Sequence, residues 1–376
     1  MNKFHVVRTG VSKAAPGSAD LKILPIVFGL TISGSLPDVW SNTRRFIFVC
    51  FVFASYTTPA QEKQQVKDSL LNLAARINKV YPTVRPYSIQ IDRVSDRVYN
   101  ANFLKQKIEK GEIAETFRAR SFVTFPSFKK RKFVLYGTFT HVYQKESLRN
   151  TESLSPTYPQ FRDRRDVETH DLTLSINTVY KDSLFGKTAV FTSAVMLNSR
   201  NFKSVEKLRG LFTATIVLKA NQRTIITAGL IALIDPTANL PFTPLFTYWH
   251  RLPKQWQLDF VLPSRLYLRH PLHAGWFSVG TELATVHGFK TPDQSILKGD
   301  YEISNILLQS GVNLEYPVRD GLLLGFRTGV ECMLAYRMVK LNGKSSDYVS
   351  NAKADPTAFA SLSLAYVPGL KRNKKR

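Results

Sequence analysis

The sequence predicts an all-β protein: an antiparallel transmembrane β-barrel of about 12–14 strands with a short N-terminal helical segment. Three observations predict it. Beyond Thr116 apolar residues recur with period two, the spacing at which side chains of a strand share one face. The alternating runs are long, many of them 12 to 17 residues, against the five or six usual in soluble sheets. Short turns alternate with longer polar loops, as they do when strands cross a bilayer in up-and-down order.

Composition narrows the field. The 376 residues carry 52 Lys and Arg against 28 Asp and Glu, a net charge of +24. Such a surplus invites a nucleic-acid reading, but 44% hydrophobic and 12% aromatic residues exclude a disordered basic tail, and no RNA-binding or zinc motif is present. Two cysteines, Cys50 and Cys332, exclude a disulfide-dense scaffold. No apolar run reaches the roughly 18 residues of a membrane helix.

Residues 1–60 read as an N-terminal extension and signal peptide. Arg44 and Arg45 precede the apolar run Phe46 to Ala54, and a polar stretch ends at Ala60, near which cleavage is expected. Lys22 with Ile23 to Ile32 is a rival signal that would leave the second run unexplained. Removing residues 1–60 subtracts six basic and two acidic residues and leaves 46 − 26 = +20, so the leader does not explain the charge. Residues 61–114 form a periplasmic lead-in, with Leu70, Leu71, Leu73, Ala74 and Ile77 making one apolar side of a helix over 61–79. The barrel is expected over 115–370, and 371–376 is a basic tail.

The clearest strand spans 322–338, where even positions such as Leu324, Phe326 and Val330 are apolar and odd ones carry Arg327, Glu331 and Arg337. Leu258 and Phe260, resuming at Leu266 and Leu268, oppose Asp259, Arg265 and Arg269. Val312 and Leu314 oppose Asn313 and Glu315. Thr224 to Ile234 is apolar on both faces and has no orientation by pattern. Twelve strands give the wrong parity. A strand within Tyr87–Tyr99 and a split at Pro263 give fourteen, yet a two-residue hairpin at Pro263–Ser264 conflicts with the positive φ that primed turns need, and the apolar phase runs through it unbroken.

Several blocks carry a resemblance. YPTVRP (81–86), KIEKGEI (107–113), TPLFTYWHRLPKQWQLDFVLPSRLYLR (243–269), GTEL (280–283) and YEIS with LLQSGVNLEY (301–316) resemble an uncharacterised outer-membrane β-barrel family of Bacteroidetes-type bacteria, a domain of unknown function. The resemblance covers roughly residues 80–370. It implies an outer-membrane location and a barrel fold, and no activity. Such barrels end on an aromatic-bearing strand; Leu362, Leu364 and Tyr366 fit, while Pro368 and the basic tail depart from the pattern.

Charges are costly on a lipid face, so Asp259, Arg265, Arg269, Glu282, Asn313, Glu315, Arg327, Glu331 and Arg337 are expected to face the lumen as candidate binding residues. They either pair across a filled lumen or line a narrow, anion-selecting pore. Tyr248, Trp249 and Trp256 are expected as interfacial aromatics. No catalytic residue, metal site or cofactor is assigned. His270 and His273 lack an acidic partner, and His170 beside Asp171 is a bare hint of a base and its orienter. The expected partners are outer-membrane lipid and lipopolysaccharide, the barrel assembly machinery and a small solute, and no nucleic acid. The function expected is that of a non-enzymatic outer-membrane barrel, a narrow channel or a ligand-binding or surface-binding barrel. The alternatives are an outer-membrane lipid hydrolase or a basic soluble nucleic-acid-binding protein.

Overall fold

A computed structural model of the chain describes residues 81–82, 85–154, 165–235, 237–238, 241–290, 299–344 and 346–370. The expected signal peptide, the helix over 61–79 and the basic tail lie outside the described residues. Within the described residues fourteen antiparallel strands form one closed sheet. In chain order they are β1 (Tyr87–Val94, continuing as Arg97–Phe103), β2 (Gln106–Thr124, extended by Phe128–Lys130), β3 (Phe133–Ser153) and β4 (Arg165–Leu184). Next come β5 (Lys187–Ser199), β6 (Lys207–Ala220), β7 (Thr224–Ile234), β8 (Phe242–Arg251), β9 (Gln257–Leu262) and β10 (Arg265–Leu272). The last four are β11 (Gly275–Lys290), β12 (Tyr301–Arg319), β13 (Leu322–Lys340) and β14 (Tyr348–Ala354, continuing as Thr357–Tyr366). Each pairs with its neighbour in sequence. Closure comes from β1 against β14, with Tyr87 opposite Tyr366 and Val94 opposite Phe359.

The first strand begins at Tyr87, inside the stretch expected as lead-in, because Tyr87–Val94 pairs with both β2 and β14. The hairpin at Pro263 is also present. Val261 faces Arg265, so the loop holds three residues, Leu262 to Ser264, and the primed two-residue geometry is not used. In this register even residues face even residues, Leu258 with Leu268 and Phe260 with Leu266. Paired residues share a face, so the apolar phase passes through the turn unchanged.

Burial is inverted relative to a soluble protein. Ile89, Ile91, Leu174, Ile176, Val312, Leu314, Leu362 and Leu364 are exposed, whereas Asp92, Arg118, Gln309, Glu315 and Glu331 are buried. Water-soluble folds bury the first kind and expose the second. β7 acquires its orientation here: Leu230 and Ile234 stand on the outside, and Thr227 bonds to Thr247 of β8 on the lumen side. Both ends of the strand circuit lie at one end of the barrel with most of the short turns; the turns at Leu104–Lys105 and Leu262–Ser264 are at the other end. At the first of these ends Leu184 and Lys187 flank Phe185 and Gly186, both at positive φ as a two-residue turn requires. The longer connections lie at the other end.

Candidate functional site

Strand parity delivers most of the expected lumen set to one place. At the short-turn end, a cavity of about 210 Å³ is lined by Arg265, Tyr267 and Arg269 of β10, Glu282 of β11, Asn313 and Glu315 of β12, and Arg327 of β13. Asp259 of β9 accepts from Arg269 and, at 3.2 Å, from Arg265 Nε. Glu282 takes the Arg327 guanidinium and the Tyr267 hydroxyl, the latter at 2.8 Å. Arg327 also donates to the Gln309 carbonyl at 3.1 Å. Charges that would be costly facing lipid satisfy one another inside.

Two residues outside any strand complete the cavity. Tyr81 is buried in its short-turn end, edge-on to Trp276 with ring centroids 5.9 Å apart. The Arg269 guanidinium lies 4.3 Å from the Tyr81 ring centre, a cation–π contact. Arg85 donates to the Tyr81 hydroxyl at 2.8 Å and to Glu315. Burial, reinforced by the Glu315 charge, pushes the Tyr81 phenol up to about 12. Tyr81 and Arg85 therefore enter the lumen at the short-turn end.

Further along the lumen Glu331 is fully buried between Arg118 (3.2 Å) and Arg97 (3.3 Å), with Gln309 Nε2 donating at 2.7 Å. Arg118 bonds on to Gln144 at 2.9 Å and pairs with Asp92. Next comes an apolar layer, Ala284, Val286 and Leu307, packed against Val142 of β3 and Met333 of β13. At the long-loop end Glu302 bonds Lys207 at 2.6 Å and Arg209, and Asp235 pairs with both at 2.7 and 2.8 Å. Burial would raise the Asp235 carboxyl, yet its bonds from Lys207 and Thr237 hold it below the usual carboxylate range.

Not every expected residue belongs here. Arg337 lies beyond a register shift at Ile306/Leu307, where one extra residue on β13 reverses the parity. Tyr336 consequently takes the lumen side, and Arg337 sits outside with its guanidinium 5.4 Å from the Tyr348 ring. Trp249 is opposite Asp259, on the lumen parity, and is no girdle residue. Tyr248 lies on the other parity, stacked on His250, and Trp256 meets His270 beside a short turn. His170 and Asp171 form no catalytic pair: Asp171 is buried with Asn198, whereas His170 stacks on His141 on the opposite face. Among the described residues no group of His, Cys, Asp or Glu is arranged to hold a metal.

Tyr267, Gln309 and Arg118 share the lumen parity, and that parity was their only signal. Nothing in period two could place Tyr81 or Arg85, which precede the first strand.

The class these observations define is a closed antiparallel barrel with an apolar exterior and a charged, internally paired lumen. No family model matches the chain, and no curated protein matches it. Among solved structures it is similar to an outer membrane channel from Pseudomonas putida F1, at 10% identity over 74% of this chain and 95% of that one, TM-score 0.28. It is also similar to the outer membrane protease OmpT from Escherichia coli (7% identity, 75% and 96% covered, TM-score 0.24) and to a Pseudomonas aeruginosa FadL homologue (8%, 77% and 91%, TM-score 0.28). The barrel assignment stands on the strand ladder itself.

Proposed function

We propose that this chain is a bacterial outer-membrane barrel, exported by its leader, that holds a small ligand in a closed lumen and does not conduct freely at rest. The blocks resembling the uncharacterised Bacteroidetes-type family support the location, as does the exposed apolar belt: isolated soluble proteins do not present a continuous greasy surface around a charged interior. Lipid and lipopolysaccharide would surround the belt, and the strand bearing Leu362, Leu364 and Tyr366 would engage the assembly machinery.

The observation that carries the ligand reading is the cavity of about 210 Å³ beneath Arg265 and Arg327, closed at one end by Tyr81. An open pore would keep that end clear; a purely structural barrel has no use for a polar cavity that its own chain does not fill. Planar-bilayer recording tests this. The wild-type protein is expected to show only small or rare openings, and Tyr81→Ala a steady conductance several-fold larger. A large steady wild-type conductance, unchanged in Tyr81→Ala, would overturn the reading.

A further inference from the structure

The barrel wall is not of even height. The β9–β10 hairpin has strands of six and eight residues between neighbours of ten and sixteen. The last backbone bond from β11 to this hairpin is Leu283 N–H to the Ser264 carbonyl, 2.8 Å. Above it, among the described residues, Ala284 to Lys290 of β11 are laddered only to β12, and Phe242 to Leu245 of β8 only to β7.

The β11–β12 ribbon does not rise straight to fill the step. It leans across the lumen. A Cβ on Gly288 would come within 2.7 Å of Thr169 on β4, and Val142 of β3 packs against the Ala284–Val286–Leu307 cluster. The other face of the ribbon presents Glu302 to Lys207 and Arg209 of β6. The lean starts at a row of glycines, Gly280 opposite Gly311 and Gly311 opposite Gly329. A Cβ on any of the three would lie about 2 Å from a neighbouring carbonyl oxygen, at 2.1, 2.1 and 2.0 Å in turn. Only glycine permits backbones so close, and such rows mark sharp bends in barrels. Among the described residues the result is a gap in the wall, with Ser264 as its sill, β8 on one side, the ribbon on the other and the Glu302 cluster above.

Arg265 is the first residue past the sill, and it lines the cavity. Its side chain is 39% exposed, and its Nε shares Asp259 with Arg269. Among the described residues no acceptor meets its two Nη groups. The sill is apolar on its bilayer side, where Leu262 and Leu266 are exposed. Four cavity arginines, Arg85, Arg265, Arg269 and Arg327, face three carboxylates, Asp259, Glu282 and Glu315. One positive charge of the cavity is left over.

We infer that the gap is a lateral route by which an anionic amphipath, one apolar chain with a carboxylate or phosphate head, reaches the cavity from the bilayer. The head sits on the Arg265 fork and the chain lies over Leu262 and Leu266. This rests on the ligand-binding reading above and names its ligand class and path. The test uses the full protein in phosphatidylcholine nanodiscs, with folding checked by heat-dependent gel mobility and empty discs subtracted. Radiolabelled dodecanoate and dodecyl phosphate distinguish the two head groups, and dodecyltrimethylammonium and butyrate control for charge and chain. At least one dodecyl anion is expected to saturate a single site, and neither control is. Arg265→Gln should weaken that site about tenfold or more, the loss of one charge-assisted bond, and Arg265→Lys should retain most of it. Thr285→Trp, on the exposed outer face of the ribbon, should slow binding about tenfold by filling the gap. Unchanged affinity in Arg265→Gln, or an unchanged rate in Thr285→Trp, overturns the inference. Butyrate binding as tightly as dodecanoate also overturns it and leaves the ligand-binding reading standing. Failure of every probe overturns it too, while the Tyr81→Ala conductance judges that reading independently.

Discussion

Single residues in this lumen are held by charge more than by apolar packing. Glu331 is the common partner of Arg97 and Arg118, and truncating it leaves two buried guanidinium groups without that carboxylate. Removing one partner from a buried ion pair costs about 3–5 kcal/mol, because the remaining charge stays desolvated. Glu331→Ala is therefore expected to lower the unfolding free energy of the folded barrel, read from denaturant titration, by an amount of that order; breaking an exposed pair such as Arg93–Glu115 should cost under about 1 kcal/mol. Tyr81 gives a pH signature. Its phenol is raised by burial to about 12, so its contribution is intact below the ordinary tyrosine value near 10 and is lost as pH climbs towards 12. Bilayer conductance should stay low to about pH 10 and rise above it, and Tyr81→Phe, which cannot ionise, should not show the rise. Asp259, Arg265, Arg269, Glu282, Glu315, Arg327 and Glu331 were all legible in the sequence, since a charge on an alternating strand has one affordable side. Arg337 was not, because a bulge shifts parity without leaving a mark in composition.

At the scale of the element, period two located strands reliably and hairpins poorly. The phase of an apolar stripe changes across a two-residue hairpin and persists across a three-residue one, so the unbroken run through Pro263 excluded only the first. β7 had no readable face because both of its sides are apolar, and only its neighbours orient it. The glycine row makes a sharper claim. Gly329→Val would drive a side chain into the Ser310 carbonyl, a backbone atom that cannot swing aside, and heat-modifiable folded protein should be lost. Gly325→Ala on the same strand crowds the Ser363 hydroxyl, a side-chain atom that can rotate away, touches Glu315 at ordinary contact distance, and should assemble normally in the same gel assay.

The whole molecule is a soluble protein turned inside out, and its tolerance of mutation should be inverted to match. Leu314→Arg on the belt should cost about 2–4 kcal/mol if the belt meets the middle of a bilayer. Measured by folding into vesicles, that loss should shrink for exposed positions nearer the long loops. Among the described residues most lumen charges pair with one another, and the belt is apolar. The inclination of the β11–β12 ribbon has one more consequence. One face of the ribbon meets β3 and β4, and the other meets β6. If the lateral route holds, the lumen exchanges with water at its ends and with the bilayer at its side.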